Sequence, residues 1–309
     1  MMMVLKLFTE VCLPLVMVAG TGWVMDRKFK LHLETLVKLN LYLMVPAFIF
    51  VRLLDTPVGG KEAGWIMAGA FSTMLACGVL SFICSRVLKL RLETGKAHAL
   101  ASMVGNAGNF GIPLITLAFG PEAGSVQVYV LVTMNISVFT FGVFLANLQA
   151  GGGWSAHRRA LTATLRQPSI YAVASAVVCK WLHIPVQSVG WIWEPLQITA
   201  GCLVGFALLT LGVQLSQTKP APLRPPLVTA LVVRLIGAPL LAWGITRLIP
   251  VPPATASVLI LAAGAPTAVN TALLAHEFGG DREFATASVF YSTLLSLVTV
   301  TITLALLKA

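Results

Sequence analysis

One unit repeats along this chain: an apolar run of about twenty residues, a short polar gap, and then the next run. A helix of about twenty apolar residues spans the hydrocarbon of a bilayer. Ten such runs can be drawn, at about 5–25, 33–54, 64–88, 97–119, 124–146, 168–184, 191–215, 226–249, 254–277 and 283–307. Lipid offers backbone N–H and C=O groups no partners, so each run is expected to be helical and to satisfy its own. The short alternating segments of a β-barrel are absent.

Charge content agrees. Only 10% of residues are charged while 57% are apolar, and the mean hydropathy is +0.88. A soluble domain carries about 25% charged residues, so lipid is the expected solvent for most of this surface. The net charge of +10 could suggest nucleic acid. The basic residues instead fill the short gaps between runs, where membrane proteins keep their cytoplasmic charge, and nucleic acid is not an expected partner. Cys12, Cys77, Cys84, Cys179 and Cys202 all lie in apolar runs without metal-ligand spacing and read as small buried hydrophobes, so no metal is expected. The first run contains Lys6 and Glu10 and leads into a basic gap, which reads as a retained first span rather than a cleaved signal.

The longest polar connection contains three consecutive glycines, Arg158 and Arg159. It divides the chain into a first five-span unit at 1–147, a cytoplasmic linker at 148–167 and a second five-span unit at 168–309. The halves share a faint register, since Asn106 and Thr267, and likewise Glu122 and Glu283, are 161 residues apart. An odd number of spans per half inverts one relative to the other. The expected fold is therefore an all-α membrane protein of ten transmembrane helices in two inverted five-helix repeats. Thirteen Lys and Arg residues fall on one set of gaps and six on the opposite set. The richer set belongs in the cytoplasm, which places both termini outside the inner membrane.

Two of the ten runs cannot be plain helices. The fourth carries Gly105, Gly108 and Gly111 at every third position, Asn106 and Asn109 between them, and Pro113 behind. Glycine weakens a helix, proline removes a donor, and asparagine amides in hydrocarbon need partners. The ninth is broken at its middle by Gly264 and Pro266, followed by Thr267 and Asn270. Each break alone is compatible with close packing of helices through small residues. Two breaks in corresponding places point to unwound segments that line a substrate cavity. Half-helix N-termini facing that cavity would favour a carboxylate.

At these residues the chain resembles the auxin efflux carrier family, which includes bacterial malonate and malate permeases and plant auxin exporters. GNAGNFGIPL at 105–114 and APTAVNTALLAHEF at 265–278 are similar to the family's fourth and ninth spans. LVKLNLYLMVPAFIF at 36–50 and RLIGAPL at 234–240 are similar to its second and eighth. The resemblance covers essentially the whole chain. It implies that helices 4 and 9 are broken and cross, that spans 3–5 and 8–10 form a moving transport body of elevator type, and that spans 1, 2, 6 and 7 form a scaffold with a homodimer contact. The plant exporters have proline where this chain has Gly105, and a long cytoplasmic loop where it has about twenty residues, which makes auxin itself an unsafe substrate assignment.

Other intramembrane polar residues leave alternatives open. Arg234 lies about ten residues into the eighth run, where a charge costs roughly 2.5–3.5 kcal/mol. It either snorkels and caps helix carbonyls or serves as counter-charge to an anion. Asn135 can bond the span-4 backbone or substrate. Asn40, Gln214 and Glu10 lie nearer span ends and read as solvated or structural. His276 and Glu277 read as a solvated helix end and lack metalloprotease spacing. No catalytic constellation and no nucleotide-binding domain can be drawn, so an enzyme is not expected.

The expected function is secondary transport of small organic anions such as malonate or malate, with no cofactor and with possible coupling to H⁺ or Na⁺. The alternatives are export of an auxin-like aromatic carboxylate or sodium- or proton-coupled carriage of another anion; a membrane enzyme would need a clustered acid, base or nucleophile that the sequence does not offer, and a receptor would leave the two breaks unexplained. The expected substrate residues are Asn106, Asn109, Asn135, Arg234, Pro266, Thr267 and Asn270.

Overall fold

The computed structural model describes residues 2–56, 58–147, 167–218, 221–277 and 279–308, with backbone alone at 139–147, 273 and 276–277. The linker expected at 148–167 lies, but for Gln167, outside the described residues. Those described form helices and no named strand. They are α1 (Met2–Phe29), α2 (Leu33–Asp55), α3 (Gly60–Val87), α4 (Leu92–Met103), α5 (Ala107–Phe119), α6 (Ala123–Asn147), α7 (Pro168–Trp181), α8 (Gly190–Gln217), α9 (Pro225–Thr246), α10 (Pro253–Ala263), α11 (Thr271–Glu277) and α12 (Arg282–Lys308).

These helices follow the apolar runs of the sequence, with the fourth run split into α4 and α5 and the ninth into α10 and α11. Six of them, α1, α2, α3, α8, α9 and α12, are long and apolar enough to cross a bilayer on their own. Large apolar side chains cover the outside, Trp191 being 80% exposed and Leu240 and Trp243 also open. Such a surface suits hydrocarbon and not water.

Four helical stretches contain a widened π-turn, at Phe8–Cys12, Asn40–Met44, Ala107–Gly111 and Val233–Gly237. Each is followed at the second position by a proline, Pro14, Pro46, Pro113 and Pro239. A proline ring collides with the carbonyl four residues back and cannot donate to it. The extra residue in the preceding turn accommodates both problems without ending the helix.

The helices sort into two packed groups. Helices α1, α2, α7 and α8 pack on one another, and α3, α4, α5, α6, α9, α10, α11 and α12 pack on one another. The groups meet where α8 lies against α5 and α1 against α12. Within the first group α1 and α8 cross at glycine. A β-carbon on Gly22 would overlap the Leu209 carbonyl, and one on Gly212 would overlap the Ala19 carbonyl. Small residues let backbones approach this closely in a membrane, where packing holds helices together.

In the second group a fully buried His98 joins three helices. Its Nδ1 lies 2.6 Å from Ser81 Oγ of α3 and its Nε2 3.0 Å from Thr229 Oγ1 of α9. Thr229 donates its own proton to the Pro226 carbonyl, so Nε2 carries the hydrogen and Nδ1 accepts from Ser81.

Candidate functional site

Helix α4 stops at Met103 and Val104 turns extended, because the glycine-rich stretch that follows supports no regular turn. Helix α10 stops at Ala263, where Gly264 and Pro266 break the ladder. The two interruptions meet. Gly105 and Thr267 form an isolated antiparallel bridge, in which the Asn106 amide donates to the Pro266 carbonyl at 2.7 Å and the Ala268 amide to the Val104 carbonyl at 2.9 Å. Irregular backbone inside a bilayer protein must find partners, and here each break supplies them to the other.

Seven terminal carbonyls at this crossing have partners. Of the last four carbonyls of α4, Leu100 accepts from the Val104 amide and Ala101 from Thr267 Oγ1, both at 2.9 Å. Ser102 and Met103 accept from Arg234 Nη1, each at 3.3 Å. On α10, Leu261 and Ala262 accept from the amides of Gly264 and Ala265, and Ala263 accepts from Arg234 Nη2. The Thr267 amide donates to Ser292 Oγ of α12 at 2.9 Å. Arg234, 2% exposed in the π-turn of α9, thus ties together the C-termini of α4 and α10. The guanidinium lies close against Gly105. A β-carbon there would sit 3.2–3.3 Å from the guanidinium atoms.

Just past the crossing, α5 begins. Its first turn leaves amides without intrahelical acceptors and carries the positive end of the helix dipole. Asn106 precedes it, 4% exposed, and its Nδ2 has no hydrogen-bond partner. Asn109, half-buried, accepts from Asn40 Nδ2 at 2.7 Å. Gln127 of α6 donates to the Ala107 carbonyl at 2.8 Å and leaves its Oε1 without a partner. The crossing therefore offers a buried donor and a buried acceptor beside a helix N-terminus. Neither is used by the protein.

Of the residues expected from sequence, Asn106, Pro266, Thr267 and Arg234 come together at the crossing, with Gly105 in the bridge and Gly264 at the end of α10. Asn109 sits one turn inside α5, with Gly108, Gly111 and Pro113 around it. Asn135 is half-buried on α6, one turn beyond Leu131, whose side chain faces Gly108. Asn270 is exposed just before α11, a helix of seven residues. Arg234 contacts backbone carbonyls, as in the capping alternative, but it does so buried inside the fold and does not snorkel. The side chains of His276 and Glu277 lie outside the described residues. Sequence reading did not weigh Gln127 or Ser292, and it placed Asn40 near a span end, whereas Asn40 is buried and anchors Asn109. Each is a single polar residue inside an apolar run, which marks burial without naming a partner.

Beside the crossing, between α1, α8 and α12, lies an apolar cavity of about 250 Å³ lined by Trp23, Phe110, Leu211, Leu215, Phe290 and Leu297 among others. Among the described residues no group of three His, Cys, Asp or Glu side chains could hold a metal ion.

The sequence matches a family described as membrane transport protein over residues 7–157 and 153–304. It is similar to an uncharacterized transporter of Methanothermobacter thermautotrophicus, 27% identical over 271 residues and 86% of each chain. It is also similar to a protein of Rhizobium meliloti named "Putative malonate transporter", 27% identical over 281 residues, 87% of this chain and 85% of that one. A transporter of Methanocaldococcus jannaschii is 21% identical over 276 residues, 87% of this chain and 88% of that one.

Proposed function

Because this chain belongs to the membrane transport protein family, that of the auxin efflux carriers, we propose that it is a secondary transporter carrying small organic anions through the crossing of its two broken helices. It is a multi-pass membrane protein that moves a small molecule, and it is not an enzyme. The observation that carries the anion reading is Asn106, whose buried Nδ2 has no protein partner beside the N-terminus of α5. A carboxylate there would accept from that amide and from first-turn backbone N–H groups while sitting at the positive end of the helix dipole. A cation would meet that donor and the positive end of the dipole, against the single unpaired acceptor Gln127 Oε1. Malonate and malate fit this chemistry, and the name of the Rhizobium meliloti relative points the same way.

In this reading ten helical segments cross the inner membrane in two inverted halves, with both termini outside. The group containing the crossing moves against α1, α2, α7 and α8 in an elevator-like cycle, and two copies associate through the latter. Driving force comes from the cargo gradient or from H⁺ or Na⁺.

A second reading has its own observation. The 250 Å³ cavity reaches Phe110, the residue after Asn109, and its walls are apolar. A carboxylate with an aromatic body would place its charge at α5 and its ring in that cavity. Uptake of radiolabelled malonate, malate and indole acetate into proteoliposomes distinguishes the two readings. Saturable uptake of a dicarboxylate supports the first, saturable uptake of indole acetate alone supports the second, and uptake of none of them removes the anion assignment.

A further inference from the structure

Some secondary transporters hold their coupling cation with the C-terminal carbonyls of half-helices at the midplane. In this chain the last of those carbonyls face the guanidinium of Arg234. We infer that the guanidinium of Arg234 occupies the place of a coupling cation at the crossing, so that the protein carries its own fixed cation there and needs no Na⁺ at that site. The inference rests on reading the crossing as the transport site.

Three observations carry it. First, the acceptors are the right ones: Ser102 and Met103 at the end of α4, and Ala263 at the end of α10, all bond to Arg234. Opposed helix C-termini each bring partial negative charge, and a cation between them relieves their repulsion. Second, the remaining terminal carbonyls, Leu100, Ala101, Leu261 and Ala262, already accept from protein donors. A Na⁺ bound to the same set would have to share these oxygens with their present donors and sit against a guanidinium, which keeps its charge in proteins. Third, no carboxylate forms an ion pair with Arg234 among the described residues, so the backbone carbonyls are its counter-charge.

Arg234 is also closed to the cargo in this conformation. The cavity against it is about 20 Å³, bounded by Gly69, Thr73, Met74, Cys77 and Met134. That volume suits a single water, not a carboxylate-bearing solute. Arg234 is therefore a positioning residue that holds α4 and α10 in register so that Asn106 and the start of α5 face the cargo.

The test uses the purified full chain in detergent and needs no substrate. In the wild-type protein, replacing NaCl by KCl or choline chloride at equal ionic strength should leave the unfolding temperature unchanged to about 1 °C. Arg234→Ala should unfold several degrees lower, and millimolar guanidinium or methylguanidinium should restore at least half of that loss, while the wild type shows no gain. Should Arg234→Ala not accumulate, Arg234→Lys keeps a cation within reach of fewer carbonyls and should fall between the two without any response to Na⁺. Specific stabilisation of the wild type by Na⁺ over K⁺ overturns the inference. So does Arg234→Ala with wild-type stability and no response to guanidinium. Because none of these readouts involves cargo, they stand or fall separately from the anion uptake assay.

Discussion

Gly212 of α8 packs directly on the Ala19 carbonyl of α1, with no space for a side chain between them. Gly22 faces the Leu209 carbonyl in the same way. A methyl group at either position meets backbone, which has no alternative rotamer, so the helices must separate. Overpacking in a core typically costs about 1–3 kcal/mol. Gly212→Ala and Gly22→Ala should each lower the unfolding temperature in detergent by several degrees. Gly20→Ala, whose β-carbon would meet nothing within 4 Å, should not. Equal stability of all three variants would show that the crossing of α1 and α8 is looser than described.

Ser292 is expected to matter through one bond. Its hydroxyl accepts from the Thr267 amide inside the crossing. Ser292→Ala leaves that buried N–H unpaired, at about 1–3 kcal/mol, and should destabilise the protein measurably in a thermal-shift assay. Ser296→Ala is the control. Its hydroxyl donates only to Thr293 one turn back in α12, so its loss should be small.

Asn106 should behave in the opposite way. Its side-chain amide has no partner in the protein, so Asn106→Ala should keep its unfolding temperature to within about 1 °C. If that amide receives a carboxylate, the lost charge-assisted bond of about 1.5–3 kcal/mol should weaken malonate affinity tenfold or more. Affinity is read as the KM of uptake in proteoliposomes. Unchanged KM in the variant would move the binding position away from the start of α5. Asn270→Ala, at an exposed position, should have the smaller effect.

Topology follows from the 13-to-6 distribution of basic residues. A C-terminal alkaline phosphatase fusion should be active, and a cytoplasm-active fluorescent protein at the same place should be dark. The reverse pair of results would invert the topology.

Much of this architecture can be read along the chain, for a definite reason. Burial in lipid forces one choice on every twenty-residue apolar run, and glycine and proline signal locally where that choice fails. Gly105, Gly264 and Pro266 therefore marked both breaks. Even the family difference at residue 105 has a local rationale. The bridge draws on the amides of Asn106 and Ala268 and not on that of Gly105, so a proline there would remove no donor from it, but its β-carbon would crowd the Arg234 guanidinium. Partners across the fold were not legible. Asn40 meets Asn109 and Ser292 meets Thr267 across 69 and 25 residues of sequence, and His98, uninformative in sequence, links α3 to α9. The orientation of Arg234 was equally hidden, since position in a run fixes depth but not which carbonyls lie within reach. The π-turns add to this, because one extra residue rotates everything downstream and erases a simple 3.6-residue periodicity.

A fixed guanidinium at the crossing also makes that part of the molecule responsive to voltage. Displacing one elementary charge through a full 100 mV drop changes the energy by about 2.3 kcal/mol. If the crossing shifts along the membrane normal during a cycle, Arg234 contributes a pull inward under an inside-negative potential. A monoanion aboard offsets that contribution, and a dianion outweighs it. The resting orientation of the empty carrier, and not only its cargo, would then depend on the energised state of the membrane.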